Sequence, residues 1–357
     1  MMPVGTGDHC LRGRNKAWLR VLRLASAVML IALFGCDRDS EKAEGSQAAA
    51  HAPAAQRRGT AQAKHAVSEK APDLPPAPPW RFPATERAVA IGDLHGDVDA
   101  ARSALRLAGA VDQRDRWIGD SLVVVITGDQ LDRGKGERAL MALLEALTSQ
   151  ARGAGGSLRV LTGNHEVMNV AGNFDYVDRA GFADFADVRR PELGELLGRL
   201  PRLVRGRAAT FLPGGSGARL LATWPVVIKV GATLFVHGGL LSTHVQYGIE
   251  RINAEVRAWM LGKLDKLPVA LRSEEAPFWT RRYSLPNLSA QDCAELGRVL
   301  AAVDATRMVI GHTPQRQGIN SACQDRVWRI DVGLSAYYGP QPVEVLELKG
   351  AAVKVLR

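Results

Sequence analysis

Five short stretches of this chain carry side chains able to hold metal and phosphate: Gly92-Asp93-Leu94-His95-Gly96-Asp97, Gly128-Asp129-Gln130-Leu131-Asp132-Arg133-Gly134, Gly163-Asn164-His165-Glu166, His237-Gly238-Gly239 and Gly311-His312-Thr313. A dinuclear hydrolytic centre needs two divalent ions roughly 3.5–4 Å apart, a carboxylate shared between them, and a bridging hydroxide that attacks phosphorus in line. The stretches supply those parts. Asp93 and His95, one residue apart, can face one ion, and Asp129 can reach both. Asn164 offers an amide oxygen, and His237 and His312 offer imidazoles. That donor mixture suits manganese, with iron and zinc as alternatives, better than magnesium or calcium. Arg133 stands beside them with a charge suited to phosphate. Glycines flank nearly every candidate ligand and let backbone and substrate approach closely.

Histidine usage makes the same case independently. Of the five histidines after residue 84, His95, His165, His237 and His312 fall inside the stretches, and only His244 does not. His244 reads as a surface or satisfied core residue. Asp97 sits where a helix N-cap is wanted, so capping is favoured over metal binding. Glu166 reads as a hydrogen-bonding partner of His165 or of a backbone amide rather than a ligand. Asp331 either orients His312 or closes a turn after a strand. Arg189-Arg190 and the arginines of Arg202 to Arg207 read as a solvated charged face in preference to a reader of anionic substrate.

The elements that must position these residues alternate. Arg87 to Ile91, Ser121 to Thr127 and Ser157 to Thr162 are short apolar runs, followed respectively by helical spacing in Val98 to Leu107, in Ala139 to Leu147 and from Val167. The pattern predicts an α/β domain with strands buried on both faces, and it places each stretch just past the carboxyl end of a strand, where open α/β sheets bind ligands. Val226 to Val230, Thr233 to Val236, Val327 to Asp331, and the hairpin Val343 to Leu348 with Ala352 to Leu356 alternate more like antiparallel strands. The segment 171–217 interrupts this rhythm and predicts an inserted, partly helical lobe over the site.

With 357 residues and 46% apolar content the chain can bury a sizeable core. Its net charge of +9 is concentrated early, in Arg12, Arg14, Lys16, Arg20, Arg23, Arg57, Arg58 and Lys64. No basic stripe interleaved with aromatics is present, which argues against a nucleic-acid partner. A basic segment precedes the apolar run Leu24 to Phe34, which is too short to span a bilayer comfortably. Residues 1–35 therefore read as a signal peptide, and Leu33-Phe34-Gly35-Cys36 resembles a bacterial lipobox in which Cys36 takes the lipid. The alternative is an uncleaved anchor with an ordinary Cys36. Either way the catalytic body lies outside the cytoplasm, and the lipidated form would face the periplasm from a membrane, with Asp37 favouring the inner one. Residues 36–84, rich in Ala and Pro, read as a disordered tether ahead of a domain at 85–357. Cys293 and Cys323 either pair or stand as two isolated buried thiols.

From about Arg87 to Gly339 the chain resembles the calcineurin-like metallophosphoesterases of phosphoprotein phosphatase type, and among them the Shewanella-like protein phosphatases. The five stretches carry the resemblance, with Tyr176-Val177, Phe278-Trp279-Thr280-Arg281-Arg282-Tyr283 and Ile330-Asp331-Val332-Gly333-Leu334-Ser335. It implies a four-layer αββα sandwich. It implies one ion held by Asp93, His95 and Asp129, and a second by Asp129, Asn164, His237 and His312. Arg133 would grip phosphate with its planar fork, Asn164 would also touch substrate, and His165, oriented by Asp132, would protonate the leaving oxygen. Arg281 matches a second phosphate-gripping arginine, with Arg282 as the alternative. The chain lacks the acidic tryptophan-centred stretch and C-terminal tail of eukaryotic serine/threonine phosphatases. The expected activity is hydrolysis of phosphomonoesters, on Ser/Thr or Tyr of phosphoproteins. A diesterase or dinucleoside polyphosphate hydrolase on the same centre is the alternative, and a non-catalytic lipoprotein binding phosphorylated ligands is the alternative of another class.

Overall fold

A computed structural model describes residues 79–357. The expected signal peptide, Cys36 and nearly all of the expected tether lie outside the described residues. The tether was expected to reach residue 84, but the domain begins earlier. Trp80 is buried, its indole N–H donates to Glu250 at 3.2 Å, and Arg81–Phe82 form strand β1, because the indole has a core pocket to fill.

Eleven strands among the described residues make two sheets. Strands β2 (Ala88–Ile91), β3 (Val123–Ile126) and β4 (Ser157–Val160) run parallel. The antiparallel hairpin β10 (Val345–Lys349) and β11 (Ala352–Leu356) extends their sheet to the order β11-β10-β2-β3-β4. The second sheet has the order β1-β5-β6-β7-β9-β8, with β5 (Val227–Val230), β6 (Thr233–Val236), β7 (Arg307–Ile310), β8 (Asn320–Ala322) and β9 (Val327–Arg329). Residues of both sheets share one apolar core, and helices cover the outer faces, giving the four-layer sandwich expected. β2, β5 and β6 are buried at every position, as strands covered on both faces must be.

The expectation of antiparallel pairing in the second half is corrected in part. β5 and β6 are antiparallel, but β6, β7 and β9 run parallel. The helix Ala290–Ala302 supplies the long crossover between β6 and β7 that parallel neighbours require. Each sheet thus has three adjacent parallel strands whose carboxyl ends open on one site. The lobe segment holds the short helices Arg179–Ala183, Gly194–Gly198 and Arg202–Phe211 around a small second core. No helix among the described residues is long and apolar enough to cross a membrane.

Candidate active site

β2 ends before Asp93 and His95, β3 before Asp129, β4 before Asn164 and His165, β6 before His237, β7 before His312 and β9 before Asp331. All of these side chains are buried. Two glycines make the convergence possible. A Cβ on Gly163 would lie 2.2 Å from Asp129 Oδ1, and one on Gly311 would lie 2.4 Å from Asp93 Oδ1. Left-handed backbone finishes the turns: His95, Asp129, Asp132, Arg133 and His312 all have φ between 45° and 71°. Non-glycine residues pay for that conformation, so the surrounding packing must impose it.

Asp129 is the hub. Its Oδ2 stands 3.2 Å from His237 Nε2, 3.8 Å from His165 Nε2 and 4.0 Å from His95 Nε2, while Oδ1 accepts the His165 amide at 3.0 Å. It belongs to both of the metal-capable groupings found among the described residues, one with His95 and His165 and the other with His237 and His312. Asn164 Oδ1 lies 3.0 Å from His237 Nε2, at the second grouping. Asp93 stands outside the two groupings, with its carboxylate accepting the His312 amide at 3.1 and 3.2 Å.

The imidazoles fit metal. His95 Nδ1 faces Leu131 O at 3.0 Å, His237 Nδ1 faces Thr127 O at 2.9 Å, and His312 Nε2 faces Trp279 O at 3.0 Å. Donating the distal N–H to a carbonyl leaves a lone pair on the ring nitrogen that faces the site. Burial pushes His95 down to about 3 and His312 down to about 2, which keeps those two rings neutral. Burial opposes ionisation of Asp129, but the imidazoles of His237 and His165 outweigh it and hold Asp129 well below the usual carboxylate range. Burial, then the carboxylates of Asp331 and Asp129, push Asp93 well up. Converging lone pairs among crowded carboxylates form a donor set for divalent cations.

His165 is placed differently. Its Nδ1 meets Asp132 Oδ2 at 2.6 Å, leaving Nε2 toward the site. Burial alone would depress its pKa, but the carboxylates of Asp129 and Asp132 raise it above 6.5. Arg133 Nη1 reaches His95 Nε2 at 3.0 Å and donates to the Tyr338 hydroxyl, and the guanidinium lies 5.4–5.6 Å from the rings of Tyr176, Tyr337 and Tyr338. Arg281 Nη1 reaches His312 O and Thr313 Oγ1, at 3.2 and 2.7 Å, whereas Arg282 is held by Asp292 at 2.8 Å. The arginine beside the site is therefore Arg281.

Glu166 accepts the amides of Asp129, Gln130, Leu131 and Gly163 at 2.7–3.2 Å, tying the second stretch to the third. Asp97 caps its helix through Ala100 N and also accepts Ala336 N. Asp331 closes a turn through Gly333 N, and no bond to His312 forms. His244 is a satisfied core residue whose Nδ1 accepts Leu241 N. The solvated face expected of Arg202 to Arg207 holds for Arg202 and Arg205 but not for Arg207, which is fully buried and bonded to Asp132 and Glu137. Sequence reading missed Arg207, Glu137, Asn169 and Tyr338. A single arginine flanked by Gly206 and two alanines in a charged helix was the only signal for the first.

The calcineurin-like phosphoesterase profile matches residues 86–326. The chain is 38% identical over 299 residues to Shewanella-like protein phosphatase 2 of Arabidopsis thaliana, covering 75% of this chain and 76% of that one. It is 29% identical over 280 residues to Shewanella-like protein phosphatase 1 of Plasmodium berghei, covering 75% and 73%. Among solved structures, a cold-active protein tyrosine phosphatase superposes with a TM-score of 0.63 at 25% identity, over 79% of this chain and 82% of that one. A profile that spans most of the domain, with a relative this similar along three quarters of the chain, makes the protein a member of the calcineurin-like phosphoesterases, metal-dependent hydrolases of phosphoric esters.

Proposed function

We propose that the protein is a phosphatase for phosphoproteins that removes a phosphoryl group from a monoester at the site around Asp129. The observation that carries this reading is the His165–Asp132 pair at 2.6 Å, facing the same carboxylate as the ligand groupings and lying beside Arg133. A hydrolytic centre with its own proton donor for the leaving oxygen suits esters whose leaving group is a poor one. Two divalent ions, when bound, supply charge neutralisation and an activated water. Asp93, His95, Asp129, Asn164, His237 and His312 would hold them. Arg133 and Arg281 orient the phosphoryl oxygens, and His165 gives the proton from Nε2 while Asp132 keeps the ring in place. Tyr176 and Tyr337 are 49% and 61% exposed near Arg133, an aromatic wall against which a phosphotyrosine ring could lie. The similarity to a solved protein tyrosine phosphatase supports the same substrate class.

The test is hydrolysis by manganese-loaded protein of para-nitrophenyl phosphate, its bis-aryl diester and a dinucleoside tetraphosphate, with Asp129→Asn as control. Monoester hydrolysis lost in the variant is expected. A preference for diester or dinucleotide would move the assignment to the alternative activity, and no hydrolysis of any of the three would end it. For location, the proposal is a lipid-anchored protein facing the periplasm. The pairing of Cys293 with Cys323, Cα atoms 5.4 Å apart, supports an oxidising compartment. Release of Cys36→Ser from the membrane fraction is the expected result.

A further inference from the structure

Arg207 comes from the helix Arg202–Phe211 of the lobe, yet its guanidinium ends beside the proton-handling pair. All five of its N–H groups are used: Nε on Asn169 Oδ1 at 2.8 Å, Nη1 on Gly181 O at 3.0 Å and on Glu137 Oε2, and Nη2 on Asp132 Oδ1 at 2.8 Å and Glu137 Oε1 at 3.2 Å. Asn169 Nδ2 donates to the same Asp132 Oδ1 at 2.8 Å, and Glu137 Oε1 accepts the Asp132 amide at 2.7 Å. With Oδ1 taken twice, Oδ2 is the oxygen left to His165 Nδ1. The rings of Phe174, Phe182, Phe185 and Phe211 surround the guanidinium at 5.1–6.0 Å and shield it from water. A surface structural arginine has no need of such a setting.

We propose that Arg207 is a positioning residue for proton transfer, through which the lobe fixes the Asp132 carboxylate and so aims His165 at the leaving oxygen. This rests on His165 being the proton donor. In that step a water oxygen forms the new bond to phosphorus and gives up a proton to solvent, the ester P–O bond breaks with its electron pair staying on the leaving oxygen, and that oxygen takes a proton from His165 Nε2. Lysine could not replace the five-donor fork.

The experiment compares phenyl phosphate, whose leaving group needs the proton, with para-nitrophenyl phosphate, whose leaving group does not. Metal content and thermal midpoint are measured on each full-length variant. Because a lone Arg207→Met would strand two buried carboxylates, the variants are R207K, which keeps the charge, and the charge-balanced pair R207M with E137Q. The pair should lose about thirtyfold in kcat on phenyl phosphate and less than about threefold on the nitrophenyl ester, R207K should lose about tenfold on the former alone, and metal content should not change. In an H165Q background the R207K change should add no further leaving-group dependence. Equal losses on both esters, or none, from folded R207K would overturn the proposal while H165Q still discriminates between the esters. If H165Q itself fails to discriminate, the proton-donor reading falls first.

Discussion

His237 Nε2 and His312 Nδ1 stand 3.1 Å apart, and each ring has its other nitrogen on a backbone carbonyl. Two lone pairs at that distance repel unless a cation lies between or beside them. Metal binding should therefore stabilise the protein as well as activate it. At a hundredfold excess over the dissociation constant, manganese should add about 2.7 kcal/mol, seen as a raised thermal midpoint. Magnesium should shift the midpoint less, because imidazole is a poor ligand for it. Asp129→Asn should abolish the shift; an unchanged shift would show that the ion binds elsewhere.

Glu166 contributes no ligand, and its loss should still disable the centre. Four amides from two stretches depend on one carboxylate. Glu166→Ala should cost about 3 kcal/mol in denaturant unfolding and lower the number of ions bound per chain. Full metal occupancy in the variant would contradict this.

The adjacent arginines should separate cleanly. Arg281→Ala should raise KM for an aryl phosphate by about tenfold, the loss of one good charge-assisted contact. Arg282→Ala should leave kcat and KM within about twofold and change only stability, because its partner is Asp292. Interchanged results in steady-state kinetics would reassign the phosphate contact.

The disulfide joins the helix Ala290–Ala302 to the turn between β8 and β9, closing a separation of 30 residues. Replacing both cysteines by serine should cost about 3 kcal/mol on the chain-entropy account. Activity at low temperature should persist, since neither cysteine belongs to the metal-capable groupings. Calorimetry on the oxidised and double-serine proteins measures the difference.

Acid should weaken the fold through His244. Burial lowers its pKa to about 4, and its Nδ1 must stay unprotonated to accept the Leu241 amide. The folded value lies below the unfolded one, so the stabilisation is complete above about pH 6.5 and is lost as pH falls toward 4, amounting to about 3 kcal/mol. His244→Gln keeps an acceptor at that helix position without titrating. Its unfolding free energy should fall less steeply across this range than that of the wild type.

The ligand residues were legible because each metal donor sits next to a glycine at the end of an apolar run, a pattern carried by residue type and spacing. The helix Val98–Leu107 was legible to the residue, since Asp97 caps it and its buried positions recur at helical spacing. Three things were not. The direction of β7 and β9 depends on how a distant helix crosses, and no local pattern encodes it. The choice between Arg281 and Arg282 turns on Asp292, which lies ten residues further on. Arg207 looked solvated because its neighbours Arg202 and Arg205 are, and because its partners Asp132 and Glu137 lie about seventy residues earlier.

Arg207 also bears on how such enzymes can diversify. A lobe that only framed the substrate could be exchanged whole between lineages, as one tool head for another. Here one of its helices sends Arg207 to Asp132, and if that pair with His165 delivers the proton as proposed, a foreign lobe would arrive without the anchor and inherit a slack donor. New substrates would then be reached by changing the rim, at an exposed position such as Tyr176, while the buried stem of the lobe is passed on unaltered.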